Sequence, residues 1–255
     1  KILMPEPPPI EDIHDSPREI PDVRVQAELD DGTRSAPHSG SFTIPPLHKD
    51  LAEAQDQPSF RYTTTFDNRQ WMDIRGVGGG STGIEYVERG GHWERNVLLH
   101  EYAHLFHGNV LTDAENRRIR ELYHAAMAAD RTLDYYAANN ESEFFAQAWE
   151  AYTMPKKVHP LNHKSMNSRE DLRTKDPALY AFVDSMAQRL EASLGGDTAI
   201  LRSNWAETYV NLSRGRRGAQ DASRARTTAL LDTALVWDSS YVPALVRYGA
   251  VMAGA

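Results

Sequence analysis

The chain contains no cysteine, which excludes disulfide bonds, thiolate nucleophiles and every zinc site built on sulfur. No apolar run approaches the roughly 20 residues that a membrane-spanning helix needs, so no membrane span is expected. Basic side chains are the minority, 28 against 36 acidic ones, for a formal net charge of −8. That balance works against a broad phosphate-binding surface, and no nucleic acid partner is expected. The sequence also lacks an initiator methionine and a signal-like apolar segment at its start, Lys1. It reads as a processed or truncated piece, with a secreted or periplasmic location favoured. What is present, 40% apolar and 25% charged residues over 255 positions, is the composition of a globular protein that can bury a core.

Proline is unevenly spread: nine of the 14 lie within the first fifty residues, in runs such as Pro7-Pro8-Pro9 and Pro45-Pro46. Such runs favour extended backbone. Residues 1–50 therefore read as a proline-rich arm or a small β element, with strand-like alternation over Val23–Glu28, a turn at Asp30-Asp31-Gly32 and a second candidate strand at Ser41–Ile44. Strand patterns recur at Tyr62–Phe66, Trp71–Ile74 and Gly83–Glu88, interrupted by the cluster Gly76, Gly78, Gly79 and Gly80. No Lys-Ser or Lys-Thr follows those glycines, so they do not read as a phosphate loop.

From about Trp93 to His107 the periodicity becomes helical, with Gly108 placed to stop the helix in a left-handed conformation. Further helices are predicted over Asp113–Ala128, Asn140–Tyr152 and Pro177–Leu194, the last broken by Gly195-Gly196. After that break the sequence is alanine-rich. The run from Ala229, ALLDTALVWDSSYVPALVRYG, has the offsets of one helix of a tetratricopeptide unit leading into the next, or of a plain helical hairpin. Arg214, Arg216, Arg217, Arg224 and Arg226 cluster there. Arginine runs between helices are usually solvated, and a protein partner bound through the helical tail is the alternative.

The densest chemical signal is His100-Glu101-Tyr102-Ala103-His104. Residues four apart on an α-helix differ by about 40° in angle, so both imidazoles share one face and can share one ion. Glu101 leaves from the edge of that face, where it can hold an attacking water rather than the metal. A third ligand is still needed. The group of enzymes that takes it from a His six residues on, after a Gly, is excluded, because Val110 and His107 occupy those positions. A glutamate from the later helix is the remaining common solution, and the stretch from Asn139 to Trp149 offers Glu141 and Glu143.

At this point the chain resembles the catalytic domain of anthrax lethal factor and its relatives, zinc metallopeptidases of the gluzincin type. The resemblance rests on the HEYAH helix, on Tyr136 seven residues before Glu143, on the run Glu143-Phe144-Phe145-Ala146 and on the helix from Pro177 to Leu190. It covers roughly residues 83–194. It implies an α+β, zincin-like metallopeptidase domain over residues 51–195, with a small mixed sheet, an active-site helix and a helical lower half. Residues 196–255 would then be an α-helical, tetratricopeptide-like tail. It further implies Glu143 as the third ligand, one Zn²⁺ per chain and Tyr136 as the hydroxyl that stabilises an oxyanion. One departure stands out: the family's acidic residue four positions after the ligand glutamate is Gln147 here, which leaves open what orients the ligands.

The expected function is therefore zinc-dependent endopeptidase, acting on a peptide or protein substrate with Glu101 as general base and the strand at Ile84–Glu88 as the edge along which substrate pairs. The alternatives are a zinc hydrolase acting on other bonds and a peptidase-fold binding module without catalysis, although the latter has no need of Glu101. Each residue also has a plainer use. Glu143 could complete a capping box with Asn140, Tyr136 or its neighbour Tyr135 could be core aromatics, and His107 could be a packed histidine near the site.

Overall fold

The computed structural model describes residues 23–25, 42–45, 47, 49–77, 81–84, 96–155, 167–214 and 224–254. These are mostly helical, with one small mixed sheet. Its strands are β1 (Val23–Val25), β2 (Phe42–Ile44), β3 (Gly76–Val77) and β4 (Ser81–Thr82), in the order β1-β2-β4-β3. The β1/β2 and β3/β4 pairs are antiparallel, while β2 and β4 run parallel with Thr43 opposite Ser81. Two strands thus come from each side of residue 50, and β3 is an edge strand among the described residues. The Arg75 guanidinium ties the sheet to the segment before it by donating to the carbonyls of Lys49 and Pro45. The short helix α1 (Leu51–Ala54) follows that segment, closed by a capping box between Asp50 and Glu53.

Two expected strands are absent. Tyr62–Phe66 and Trp71–Ile74 instead belong to a loop with 3-10 turns at Pro58–Arg61 and Trp71–Asp73, joined only by an isolated bridge between Thr64 and Gln70. The threonines there have strand propensity but no partner strand to satisfy. Side chains close the turn in its place: Thr65 donates to Asp67 (2.5 Å), Asp67 accepts from Arg69 Nε (2.8 Å), and Asn68 takes φ +60°. Phe60 stacks on Trp71 at 5.0 Å and pins the loop's two ends together. Ile84, expected in a strand, is helical. The strand-like residues Gln26–Glu28 and Glu85–Glu88, the turn at Asp30–Gly32, the glycines Gly78–Gly80 and the expected helix start at Trp93 lie outside the described residues.

The central helix α2 (Val97–Asn109) starts where the Asn96 side chain accepts from the Leu99 amide (3.1 Å). Gly108 does not stop it: the helix runs on to Asn109 and ends in right-handed backbone at Val110. A Cβ at Gly108 would meet nothing within 4 Å, so no close approach demands glycine there. Helix α3 (Asp113–Ala128) is opened by a capping box between Thr112 and Glu115, and α4 (Glu141–Thr153) by Asn140. Helices α5 (Arg169–Lys175) and α6 (Pro177–Leu194) follow, the latter with Asp176 as cap and proline in its first turn. It is terminated where Gly196 adopts φ +111°. Ala103 and Phe106 of α2, Ile119 and Leu122 of α3, Phe144, Phe145 and Ala148 of α4, Leu172 of α5, and Leu179, Val183 and Met186 of α6 make one continuous core. Phe144 and Phe145 are fully buried at its centre, where truncation to alanine typically costs about 3–5 kcal/mol. That packing holds α4 against α2 and so fixes the geometry of the site.

Beyond Gly196, α7 (Arg202–Ser213), α8 (Arg224–Trp237) and α9 (Val242–Ala253) enclose a second, smaller core of Ala206, Val210, Leu231, Ala234 and Ala244. Small residues let these helices approach closely, and Trp205 stacks on Trp237 at 4.9 Å. The turn between α8 and α9 falls at the expected aspartate, since Asp238 accepts from the Ser240 amide and hydroxyl.

Candidate metal centre

Helix α2 supplies His100 and His104 one turn apart, and α4 brings Glu143 against them. The cap of α4 determines where that carboxylate lands. Asn140 accepts from the amides of Ser142 and Glu143 (2.9 Å each), which fixes the first turn. The Glu143 side chain does not fold back to complete a capping box; its Oε2 lies 3.1 Å from His100 Nε2 and 3.5 Å from His104 Nε2. The two Nε2 atoms are 3.2 Å apart. These three ligand atoms form a nearly equilateral triangle, and the group can hold a metal ion. The edges match the spacing of about 3.3–3.4 Å that tetrahedral angles impose on ligand atoms at zinc bond lengths of about 2.0–2.1 Å.

For both Nε2 atoms to offer a lone pair, each Nδ1 must carry a proton and needs an acceptor. His104 has one, the Ser142 hydroxyl at 2.7 Å. Around His100, burial opposes a positive charge, but Glu143, Glu150 and Glu101 outweigh it and raise its pKa. Burial would also raise the Glu143 carboxyl, yet hydrogen bonds from His100 and His104 hold it down at about 2. His100 and Glu143 thus favour each other's charged forms.

Glu101 is buried, and burial raises its pKa despite the opposing pull of His100 and His104. It does not belong to the ligand triangle. It lines a cleft of about 400 Å³ together with His100, His104, Glu143 and Tyr136. Phe66, Trp71, Ile74 and Leu105 form the apolar part of the same wall. Tyr136 sits with its ring 6.3 Å from that of His100 and 5.1 Å from that of Phe66, with the Arg69 guanidinium 6.0 Å over its face. Burial, reinforced by Glu143, pushes the phenol well above its ordinary pKa, so the hydroxyl stays protonated and can donate. Its neighbour Tyr135 points outward, 56% exposed.

Three positions important to this arrangement had no role assigned from the sequence. Asp134 accepts from the amides of Tyr136 and Ala137, from Asn167 (2.8 Å) and from Gln147 (3.4 Å), and so anchors the loop that carries Tyr136. Gly76 of β3 lies directly on Glu101: a Cβ there would come within 2.8 Å of Glu101 Oε1. Glu150, 1% exposed, lies 3.6 Å from His100 Nδ1. Only the last had a readable signal, since it stands seven residues after Glu143 and therefore on the same face of α4.

Other candidates fall away from the centre. Glu141 pairs with Arg120 at 2.9 Å. His107 packs 5.4 Å from the Phe145 ring, and burial lowers its pKa, as suits a packed neutral histidine. Arg214 donates to Asn211, and Arg224 reaches the carbonyl of Met252; Arg216 and Arg217 lie outside the described residues. No family model, no curated protein and no solved structure matches the chain, so the argument for function rests on the site itself.

Proposed function

We propose that the chain is a zinc-dependent endopeptidase with a zincin-like domain, one ion per chain, Glu101 as general base and Tyr136 as oxyanion donor. The observation that carries this reading is the convergence on one cleft of the His100, His104 and Glu143 triangle, the buried Glu101 and the protonated Tyr136 hydroxyl. Two imidazoles and one carboxylate without sulfur suit zinc in a catalytic setting, where three protein ligands leave a position open. A bound ion would supply Lewis acidity toward a peptide carbonyl and acidify a nearby water.

The chain's own groups do the rest. The Glu101 carboxylate takes a proton from the attacking water, a task helped by a pKa lifted above that of an ordinary glutamate, and returns it to the leaving nitrogen. Tyr136 donates its hydroxyl proton in a hydrogen bond to the carbonyl oxygen as negative charge builds there. Substrate would pair along the edge of β3 that is unpaired among the described residues, which lines the cleft and lies on α2 through Gly76; of the Ile84–Glu88 edge expected from the sequence only Ile84 is described, and it is helical. The apolar wall of Phe66, Trp71 and Ile74 would take an apolar side chain flanking the scissile bond. The mixed sheet against the metal helix, with the third ligand on a later helix, supports the zincin reading, and the second small core supports a separate helical tail after residue 195.

A binding module without catalysis is the competing reading. A mixed peptide library incubated with the purified protein, with and without a chelator, separates the two. Cleavage that the chelator abolishes and added zinc restores is the expected result. Protein that neither contains zinc nor takes it up would overturn the proposal at its root.

A further inference from the structure

Helix α4 approaches His100 with two carboxylates. Glu143 and Glu150 are seven residues apart, two turns, so both face α2. Glu143 meets Nε2 of the ring, and Glu150 meets the other nitrogen, Nδ1. The Glu150 side chain is 1% exposed. Its Oε1 accepts from the backbone amide of Asn96 at 3.0 Å, which ties it to the residue that caps α2. Its Oε2 and His100 Nδ1 are both buried with no hydrogen-bond partner, 3.6 Å apart. A buried carboxylate oxygen facing a buried ring nitrogen, each without another partner among the described residues, is a costly arrangement unless the two serve each other.

Gln147, which occupies the position four after Glu143, cannot take this part, because its amide turns to Asp134 instead. His104 already has the Ser142 hydroxyl at its Nδ1. Among the described residues His100, unlike His104, lacks a close acceptor at Nδ1, and Glu150 faces that nitrogen.

We propose that Glu150 is a positioning residue for the metal: it accepts the Nδ1 proton of His100, fixes the tautomer in which Nε2 presents its lone pair, and holds the ring toward Glu143 and His104. The inference rests on the metal reading of the site. The gap to an ordinary hydrogen bond of about 3.0 Å is small enough for a slight tilt of the ring to close. Glu150→Gln tests the role with little change of shape. The amide oxygen can still accept from Asn96, while the amide nitrogen now offers a proton to Nδ1 and favours the tautomer that cannot bind metal through Nε2.

Zinc affinity measured by competition with a chromophoric chelator should fall by about 10- to 100-fold in Glu150→Gln. A second measurement needs no variant. In the zinc-loaded wild-type protein the His100 Nδ1 proton should appear in proton–nitrogen NMR as a downfield, slowly exchanging signal, as a hydrogen bond to a buried carboxylate demands. A purely structural glutamate would produce neither effect. If the wild-type protein binds zinc but the variant binds it equally well, or if the Nδ1 proton exchanges freely, the role of Glu150 is overturned and the metal centre stands. If the wild-type protein takes up no zinc, the metal reading falls and this inference with it.

Discussion

The helices before Gly196 and those after it solve the problem of buried polar atoms in opposite ways. In the tail every polar side chain buried in α7 has a partner, and only Asn204 takes its partners from before Gly196. Thr208 donates to the Asn204 carbonyl (2.9 Å) and Ser213 to the Val210 carbonyl (2.6 Å), while Glu207 accepts from Tyr241 (2.5 Å) and Asn211 (3.1 Å). The buried side-chain atoms left without a partner among the described residues all lie on the other side: Thr82 Oγ1, His100 Nδ1, Glu150 Oε2 and Asp176 Oδ2. Two of the four face each other at the proposed metal centre. The tail satisfies most of its buried polar atoms from within, whereas the proposed site holds groups whose best partner would be a ligand.

That contrast is open to test by substitutions ordered by their expected effect on turnover. Glu101→Gln should retain zinc and lower the turnover number by on the order of 10³-fold, because the amide cannot take a proton. Loss of zinc in this variant, measured by elemental analysis, would mean that Glu101 is a ligand and that the roles are misassigned. Tyr136→Phe keeps the ring on Phe66 and loses only the hydroxyl. Steady-state kinetics should show a fall in turnover of about 10²-fold with little change in Michaelis constant. Near-normal turnover would reject the oxyanion role and leave Tyr136 as packing. Gly76→Ala should cost about 10-fold in turnover with zinc affinity unchanged, since the new methyl must displace the Glu101 carboxylate from 2.8 Å and Val97 from 2.9 Å. Equal activity would show that β3 does not constrain the base.

The same contrast predicts a pH signature for the chelated protein. Glu143 is held down to about 2 from an ordinary 4.5, so its contribution to stability is complete above pH 4.5 and is lost as pH falls toward 2. His100 is pushed up to about 10 from 6.5, so its contribution is complete below pH 6.5 and is lost as pH rises toward 10. The raised pKa of the buried Glu101 adds a loss that sets in as pH rises above its ordinary 4.5 and so draws the maximum toward the acidic end. Stability to urea should therefore peak between pH 4.5 and 6.5. In His100→Asn the alkaline decline should shrink, and an unchanged pH profile in that variant would refute the coupling.

Much of the helical part was legible in the sequence because its signals are local. Asp113–Ala128 and Pro177–Leu194 form helices with the bounds that periodicity and caps predict, and the spacing of His100 and His104 brings their Nε2 atoms 3.2 Å apart. The strands were harder to read. A threonine run such as Thr63-Thr64-Thr65 carries strand propensity, but whether it pairs depends on a partner elsewhere in the chain, and here Asp67 and Arg69 turn it back on itself. Gly108 showed the same limit: a glycine near a helix end suggests a stop, but α2 continues because its packed face carries through Phe106 to Val110 and Leu111. The partners of the site were hidden for a related reason. Which carboxylate meets His100 Nδ1 depends on how α4 lies on α2, a matter of packing between residues 50 apart in sequence.

The substitution with the least expected effect on turnover lies at the junction of the two regions and decides how separate they are. Asn204 of α7 donates to the Val110 carbonyl, at the end of the metal helix, at 3.1 Å and to Glu115 at 2.7 Å; its own oxygen accepts from Arg189 at 2.7 Å. It is 1% exposed, so Asn204→Ala removes three hydrogen bonds at the junction, while Glu115 keeps Thr112 and Arg189 keeps Glu115 as partners. A loss of about 1–3 kcal/mol in chemical denaturation is expected on that ground alone. The contact reaches α2 six residues beyond His104, nearly two turns away, and the ligand triangle is held by the packing of α4 and the cap at Asn140 rather than by the helix end. Zinc affinity and turnover should therefore match wild type in the folded variant. If zinc affinity falls with stability, the tail takes part in shaping the metal centre, and the division at Gly196 describes the cores but not the function.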